Sequence, residues 1–181
     1  MSYLDDSLIT RQLHDPATRR RAFEELVKKY TAQLYWQIRH MVLSHDDTND
    51  VLQNTFIKVW TNLDNFRGDS KLATWLYRIA VNESLTFIQK RKDTLTIDDT
   101  EAGPAAELES DPYFDGDETD LQLQKALQTL PEKQRIVFNM KYFQEMKYED
   151  MSEILKTSVG SLKASYHFAV EKIENYFNAN D

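Results

Sequence analysis

The chain has 181 residues, no cysteine, and 22 Lys and Arg against 30 Asp and Glu, for a net charge of −8. That length allows one domain or two small ones, and the lack of cysteine excludes disulfides and thiolate metal sites and fits a reducing cytoplasm. No apolar run of about eighteen residues occurs, and the N-terminal MSYLDDSLITRQ lacks the basic-then-apolar order of a secretory signal, so a soluble, cytoplasmic protein is expected.

In chain order, Asp15 can cap a helix beginning at Pro16, along which Phe23, Leu26, Val27, Tyr30, Leu34, Ile38 and Met41 recur at helical spacing. Asp46 or Asp47 can cap the next, with Val51, Leu52, Thr55, Phe56, Val59 and Trp60 on its core side. Asp50, Gln53, Asn54 and Lys58 fall on its other faces. A polar loop, Asp64-Asn65-Phe66-Arg67-Gly68-Asp69-Ser70, follows, and Ser70 can cap a third helix carrying Leu72, Trp75, Leu76, Ile79, Ala80 and Ile88. Trp75 falls on the apolar stripe and reads as core.

Residues 93–120 hold eleven acids and no Lys or Arg, which leaves the rest of the chain at +3. This stretch has Gly103, Pro104, Pro112 and Gly116 and no sustained apolar period, so it reads as an acidic linker between domains at 1–92 and 121–181. Two roles fit it: a solubilising spacer, or a set of carboxylates standing in for nucleic acid in a partner's basic channel.

Beyond it, Leu130-Pro131-Glu132 ends one helix and starts another, with Pro131 in its first turn and Ile136, Val137, Met140 and either Tyr142 or Phe143 inward. Tyr148 to Leu155 places Met151, Ile154 and Leu155 on one helical face. Lys156-Thr157-Ser158 makes a short turn, and Ser158 caps a helix from Val159 whose buried stripe is Leu162, Tyr166, Ala169, Val170 and Ile173. The whole is all-α, two small helical domains, the second closing on helix-turn-helix punctuation. In such motifs the second helix enters the major groove N-terminus first, which makes Ser161, Lys163, Ala164, Ser165 and His167 candidate base readers.

DVLQNTFIKVW (50–60), FRGDSKLATWLYRIAVN (66–82), ALQTLPEKQRIVF (126–138) and YEDMSEILKTSVGSLKASYHFAVEKI (148–173) together resemble conserved regions 2 and 4 of the extracytoplasmic-function class of bacterial sigma-70 factors. The resemblance covers nearly all the chain except the middle. It implies that Asp50, Gln53, Asn54 and Lys58 bind a coiled coil of the largest catalytic subunit of RNA polymerase; the family usually has an acid where this chain has Asn54. It implies that the loop Asp64, Asn65, Phe66, Arg67, Gly68, Asp69 and Ser70, with Asn82, captures single-stranded bases of the minus-ten element, and that Arg78, Lys90, Arg91 and Lys92 hold phosphates. Polar groups around a glycine can repay the cost of unstacking a base. Lys90 to Lys92 also complement their helix dipole.

In the second domain, Arg135 and Lys141 match positions that contact phosphates beside the minus-thirty-five element, and Ser161, Lys163, Ser165 and His167 would read its bases. The recognition helix departs from the family in having Ser165, Phe168 and Val170 where arginines are common. The implied partners are RNA polymerase core enzyme, duplex and melted promoter DNA, and an anti-sigma factor, which in this family is often membrane-bound. No cofactor, metal or small-molecule substrate is implied, and the four histidines (His14, His40, His45, His167) are too scattered in sequence to suggest a cluster.

Residues 121–181 carry eight cations and eight acids, so the second domain alone is a poor phosphate binder, since non-specific affinity scales with cation contacts. Two alternatives share parts of this pattern: a free-standing helix-turn-helix regulator, and a helical scaffold with no DNA role. A hydrolase fits least, with no glycine-rich phosphate loop and no nucleophile beside a base.

Overall fold

The structure is a computed structural model that describes residues 4–94 and 116–180. The acidic stretch at 95–115, which holds most of the expected linker, lies outside the described residues. Its flanks are helical: one helix runs to Thr94 and the next begins at Glu118.

Four helices form the first half: α1 (Asp6–His14), α2 (Arg19–Val42), α3 (His45–Thr61) and α4 (Leu72–Thr94), with a 3-10 turn at Leu63–Asn65. α2 is the centre, and Leu26, Tyr30, Leu34, Ile38 and Met41 lie buried along it at the spacing of one helical stripe. Val51, Leu52, Thr55 and Val59 of α3 and Leu72, Leu76 and Ala80 of α4 close over that stripe. Thr55 and Ser84 sit in this core because each hydroxyl donates to the carbonyl four residues back, at 2.8 Å in both cases, and leaves nothing unpaired.

The second half holds α5 (Glu118–Thr129), α6 (Glu132–Phe138), a wide π turn (Asn139–Phe143), α7 (Tyr148–Leu155) and α8 (Val159–Asn180). Asp117 and Asp120 make a reciprocal capping box that starts α5. Lys156 takes a left-handed conformation (φ 52°) that ends α7, and Ser158 Oγ accepts from Ser161 N at 3.2 Å to start α8.

Several local expectations change. α1 was not anticipated, and Asp15 terminates it instead of opening a helix at Pro16; α2 begins at Arg19. Ser44, not Asp46 or Asp47, caps α3, and the two acids occupy its first turn, where they still complement the dipole. Pro131 is the N-cap position of α6. Trp60 is 43% exposed and packs edge-on against Phe23. Tyr142 is exposed, and Phe143 is the ring that turns inward.

The two halves share one core. Ile136, Val137, Met140, Met146, Met151 and Leu162 pack in the same buried cluster as α2 and α4, while Leu127, Leu130, Phe138, Ala169 and Ile173 form a smaller one within the second half. Because Leu34 is fully buried at the centre of α2, Leu34→Ala is expected to destabilise the protein by about 2–5 kcal/mol, read as a lower urea midpoint.

Candidate nucleic-acid and polymerase interfaces

α3 is amphipathic, but its exposed side also carries two large apolar side chains, Ile57 at 55% and Trp60 at 43% exposure. Asp50, Gln53, Asn54 and Lys58 are exposed on the side opposite Val51, Thr55 and Val59. Lys58 Nζ reaches Glu83 of α4 at 3.6 Å, and Phe56 is half-buried against Phe23. The result is a largely polar strip that also exposes Ile57, backed by the core beneath it.

The loop between α3 and α4 exposes Asp64, Asn65, Arg67, Gly68 and Asp69, with Ser70 half-buried. Gly68 has φ +78°, a conformation that disfavours any side chain and turns the loop outward. Phe66 does not belong with these: it is 4% exposed and stacks on Trp75 with ring centroids 4.7 Å apart, so it anchors the loop from below and is not available to a base.

Two further anchors were not visible in the linear sequence. His14 Nε2 lies 2.7 Å from the Phe66 carbonyl, and Arg19 donates to Asp64 at 2.7 Å. Asn82 is exposed on α4, and Lys90 and Lys92 are exposed near its C-terminal end. Arg91 faces Asp47 at 3.4 Å, and Lys92 pairs with Glu132 of α6.

In the second half, Lys163 and His167 are exposed on α8, and Ser161 and Ser165 are half-exposed beside them, while Leu162, Ala169 and Ile173 face inward. Lys141 and Lys163 both approach the Tyr148 ring, at 4.7 and 5.7 Å from its centroid, so two cations converge at the N-terminal part of α8. Lys141 Nζ also donates to the Met146 carbonyl at 3.2 Å.

Arg135 is not on this surface. It is 8% exposed, packed between the halves with its guanidinium 3.5 Å from the Met41 carbonyl. Arg78, the expected phosphate ligand on α4, donates instead to Asp150 of α7 at 2.8 Å. These contacts belong to a broader seam. Asn139 Nδ2 donates to the Gln37 carbonyl at 3.0 Å, Gln124 Nε2 donates to His40 Nε2 at 2.7 Å, and Phe143 stacks on the His40 ring at 4.3 Å. Burial there pushes the His40 imidazole down to about 4, with the nearby Arg39 charge acting in the same direction and Asn139 opposing.

No helix among the described residues is long and apolar enough to cross a membrane.

The family models for sigma-70 region 2 and sigma-70 region 4 match residues 26–94 and 120–173. Over 165 residues the chain is 32% identical to the RNA polymerase sigma-H factor of Pseudomonas aeruginosa and to the extracytoplasmic-function sigma-E factor of Escherichia coli K12, covering 86% of each chain in both cases. It is 30% identical to sigma factor SigW of Bacillus subtilis over 81% of its own length and 83% of the relative. Among solved structures it shares the fold of CnrH, seen in complex with the cytosolic domain of CnrY, with a TM-score of 0.66, 23% identity and coverage of 97% and 99%. It also shares the fold of the sigma factor RpoE of Bartonella quintana in complex with the anti-sigma factor NepR, with a TM-score of 0.66, 22% identity and coverage of 88% and 98%.

Proposed function

Since this chain belongs to the extracytoplasmic-function class of the sigma-70 family and is an RNA polymerase sigma factor, we propose that each of its exposed polar surfaces carries one step of initiation. The α3 strip of Asp50, Gln53, Asn54 and Lys58 docks on core polymerase. The loop at Asp64, Asn65, Arg67, Gly68, Asp69 and Ser70, with Asn82 on α4, takes unstacked bases of the minus-ten element, and Lys90 holds a phosphate beside them. Ser161, Lys163, Ser165 and His167 read the minus-thirty-five duplex. The protein breaks no covalent bond in this role; it supplies specificity to the enzyme that does.

The observation that supports this reading is that the two halves present different exposed polar surfaces, a glycine-turned loop in one and a Ser158-capped helix with exposed Lys163 in the other. Melted DNA and duplex DNA need different recognition chemistry, loops that receive splayed bases in one case and a helix in a groove in the other.

The packed arrangement of the halves is then a resting form. Arg78 is occupied by Asp150 and Arg135 is buried beside Met41, so two cations matched to phosphate contacts are withheld while the seam is closed. Docking on polymerase parts the halves and releases them, and tethering then raises the effective concentration of the second domain to the millimolar range. An anti-sigma factor, the kind of partner that NepR is for RpoE of Bartonella quintana, would hold the chain away from polymerase.

The test is binding to fluorescent promoter fragments with and without core polymerase. The chain alone is expected to bind weakly, and holoenzyme tightly with a steep salt dependence. Tight, sequence-specific binding by the chain alone would favour the free-standing regulator.

A further inference from the structure

A cleft of about 540 Å³ opens between α1 and the loop that precedes α4. One wall is the minus-ten loop, through Gly68, Ser70 and Lys71; the facing wall is α1, through Ser7, Thr10 and Arg11. α1 lies N-terminal to the region 2 match, which begins at residue 26. His14 of α1 holds the Phe66 carbonyl directly, and Arg19, at the start of α2, bridges the two walls by donating to the Leu13 carbonyl of α1 and to Asp64. The separation of the walls is therefore set by the fold.

The chemistry of the two walls is matched. Arg11 and Lys71 are exposed cations on opposite sides, and Thr10 and Ser70 bring half-buried hydroxyls that can donate to or accept from a base edge. Asp6 also lines the cleft, but its carboxylate is already held by Lys29 Nζ and by the Tyr30 hydroxyl, each at 2.7 Å. It therefore does not oppose an incoming phosphate as a bare charge would.

We infer that α1 is the second wall of the site that receives an unstacked promoter nucleotide: Arg11 joins Lys71 in holding its phosphate, and Thr10 helps set which base is accepted. This rests on the loop's assignment to the minus-ten element and adds to it residues that the region 2 match does not reach. A phosphate contact adds affinity without regard to sequence, whereas a hydroxyl at a base edge adds discrimination.

The experiment uses holoenzyme assembled with core polymerase and fork-junction DNA carrying a short randomised single-stranded segment. Arg11→Ala is expected to weaken binding about five- to tenfold across all sequences and to lower the salt slope by about one. Thr10→Val should leave mean affinity nearly unchanged but relax base preference about tenfold at a single position. His14→Ala and Asn82→Ala are run alongside. If His14→Ala weakens binding while Arg11→Ala and Thr10→Val do nothing, α1 only braces the loop and the inference is overturned. If Asn82→Ala also has no effect, the loop's assignment falls with it; loss confined to Asn82→Ala would leave that assignment standing and refute the role of α1.

Discussion

Reversing the character of the α3 strip with Asp50→Arg and Gln53→Arg together is expected to reduce affinity for core polymerase by about 100-fold while leaving thermal stability within about 0.5 kcal/mol of the parent. The separation of effects follows from geometry. Both side chains are exposed, and the helix is held by Val51, Leu52, Thr55 and Val59 on its other side, so nothing that stabilises the fold is touched. A partner surface that accepts an acid and an amide there would meet two guanidinium groups instead, and like-charge juxtaposition acts on encounter as well as on the final complex. The family's usual acid at the position of Asn54 gives the converse experiment: Asn54→Asp should tighten polymerase binding. Fluorescence-detected titration of core enzyme with labelled protein reads both. Equal affinity for all three proteins would place the polymerase contact elsewhere.

The seam between the halves should open in acid. His40 is neutral in the packed state down to about pH 4, and once exposed it takes a proton near its ordinary value of 6.5. Closure is therefore fully favoured above pH 6.5, weakens as the pH falls through that window, and levels off below about pH 4. The full difference corresponds to about 3 kcal/mol, enough to shift a marginal closed state largely to open. The geometry supports the same sign, because Gln124 donates to His40 Nε2 and a second ring proton would collide with that donor. Small-angle scattering at pH 5 should show a larger radius of gyration than at pH 7.5. His40→Gln, which cannot titrate, should keep one radius at both. Identical expansion of parent and variant would assign the acid response to other groups.

What could be read from the chain was whatever local chemistry decides. α7, the turn at Lys156 to Ser158 and the start of α8 follow from a helical stripe, a short polar turn and a hydroxyl cap, all within a few residues of one another. The faces of α3 were legible up to its last turn, because a long amphipathic pattern fixes its own orientation; Trp60, expected inward, is 43% exposed. α1 was not, since its two buried residues, Ile9 and Leu13, gain meaning only when α2 packs on them.

Side chains that serve either packing or recognition were the hardest to place. Phe66 in a polar loop reads as one of the base-capturing residues until Trp75 and His14 are brought against it. Arg135 and Arg78 read as phosphate ligands until the second half folds back over α2 and α4 and supplies Met41 and Asp150 as their partners. His40 belonged to no linear cluster, and its neighbours Gln124 and Phe143 lie in the other half of the chain. In each case the deciding contact spans a long stretch of sequence, and no periodicity records it.

Promoter choice by core polymerase is expected to require both proposed DNA surfaces of this protein. Run-off transcription tests it most directly: purified core enzyme, this protein and fragments of the genome that encodes it, with an Asn82→Ala, Lys163→Ala double variant in parallel. Both side chains are exposed, so the variant should fold as the parent does. Transcripts from discrete start sites that require the parent protein and are lost with the double variant are expected. Core-dependent transcripts that persist undiminished in the variant would contradict the proposed DNA surfaces, and no core-dependent transcription at all would contradict the function itself.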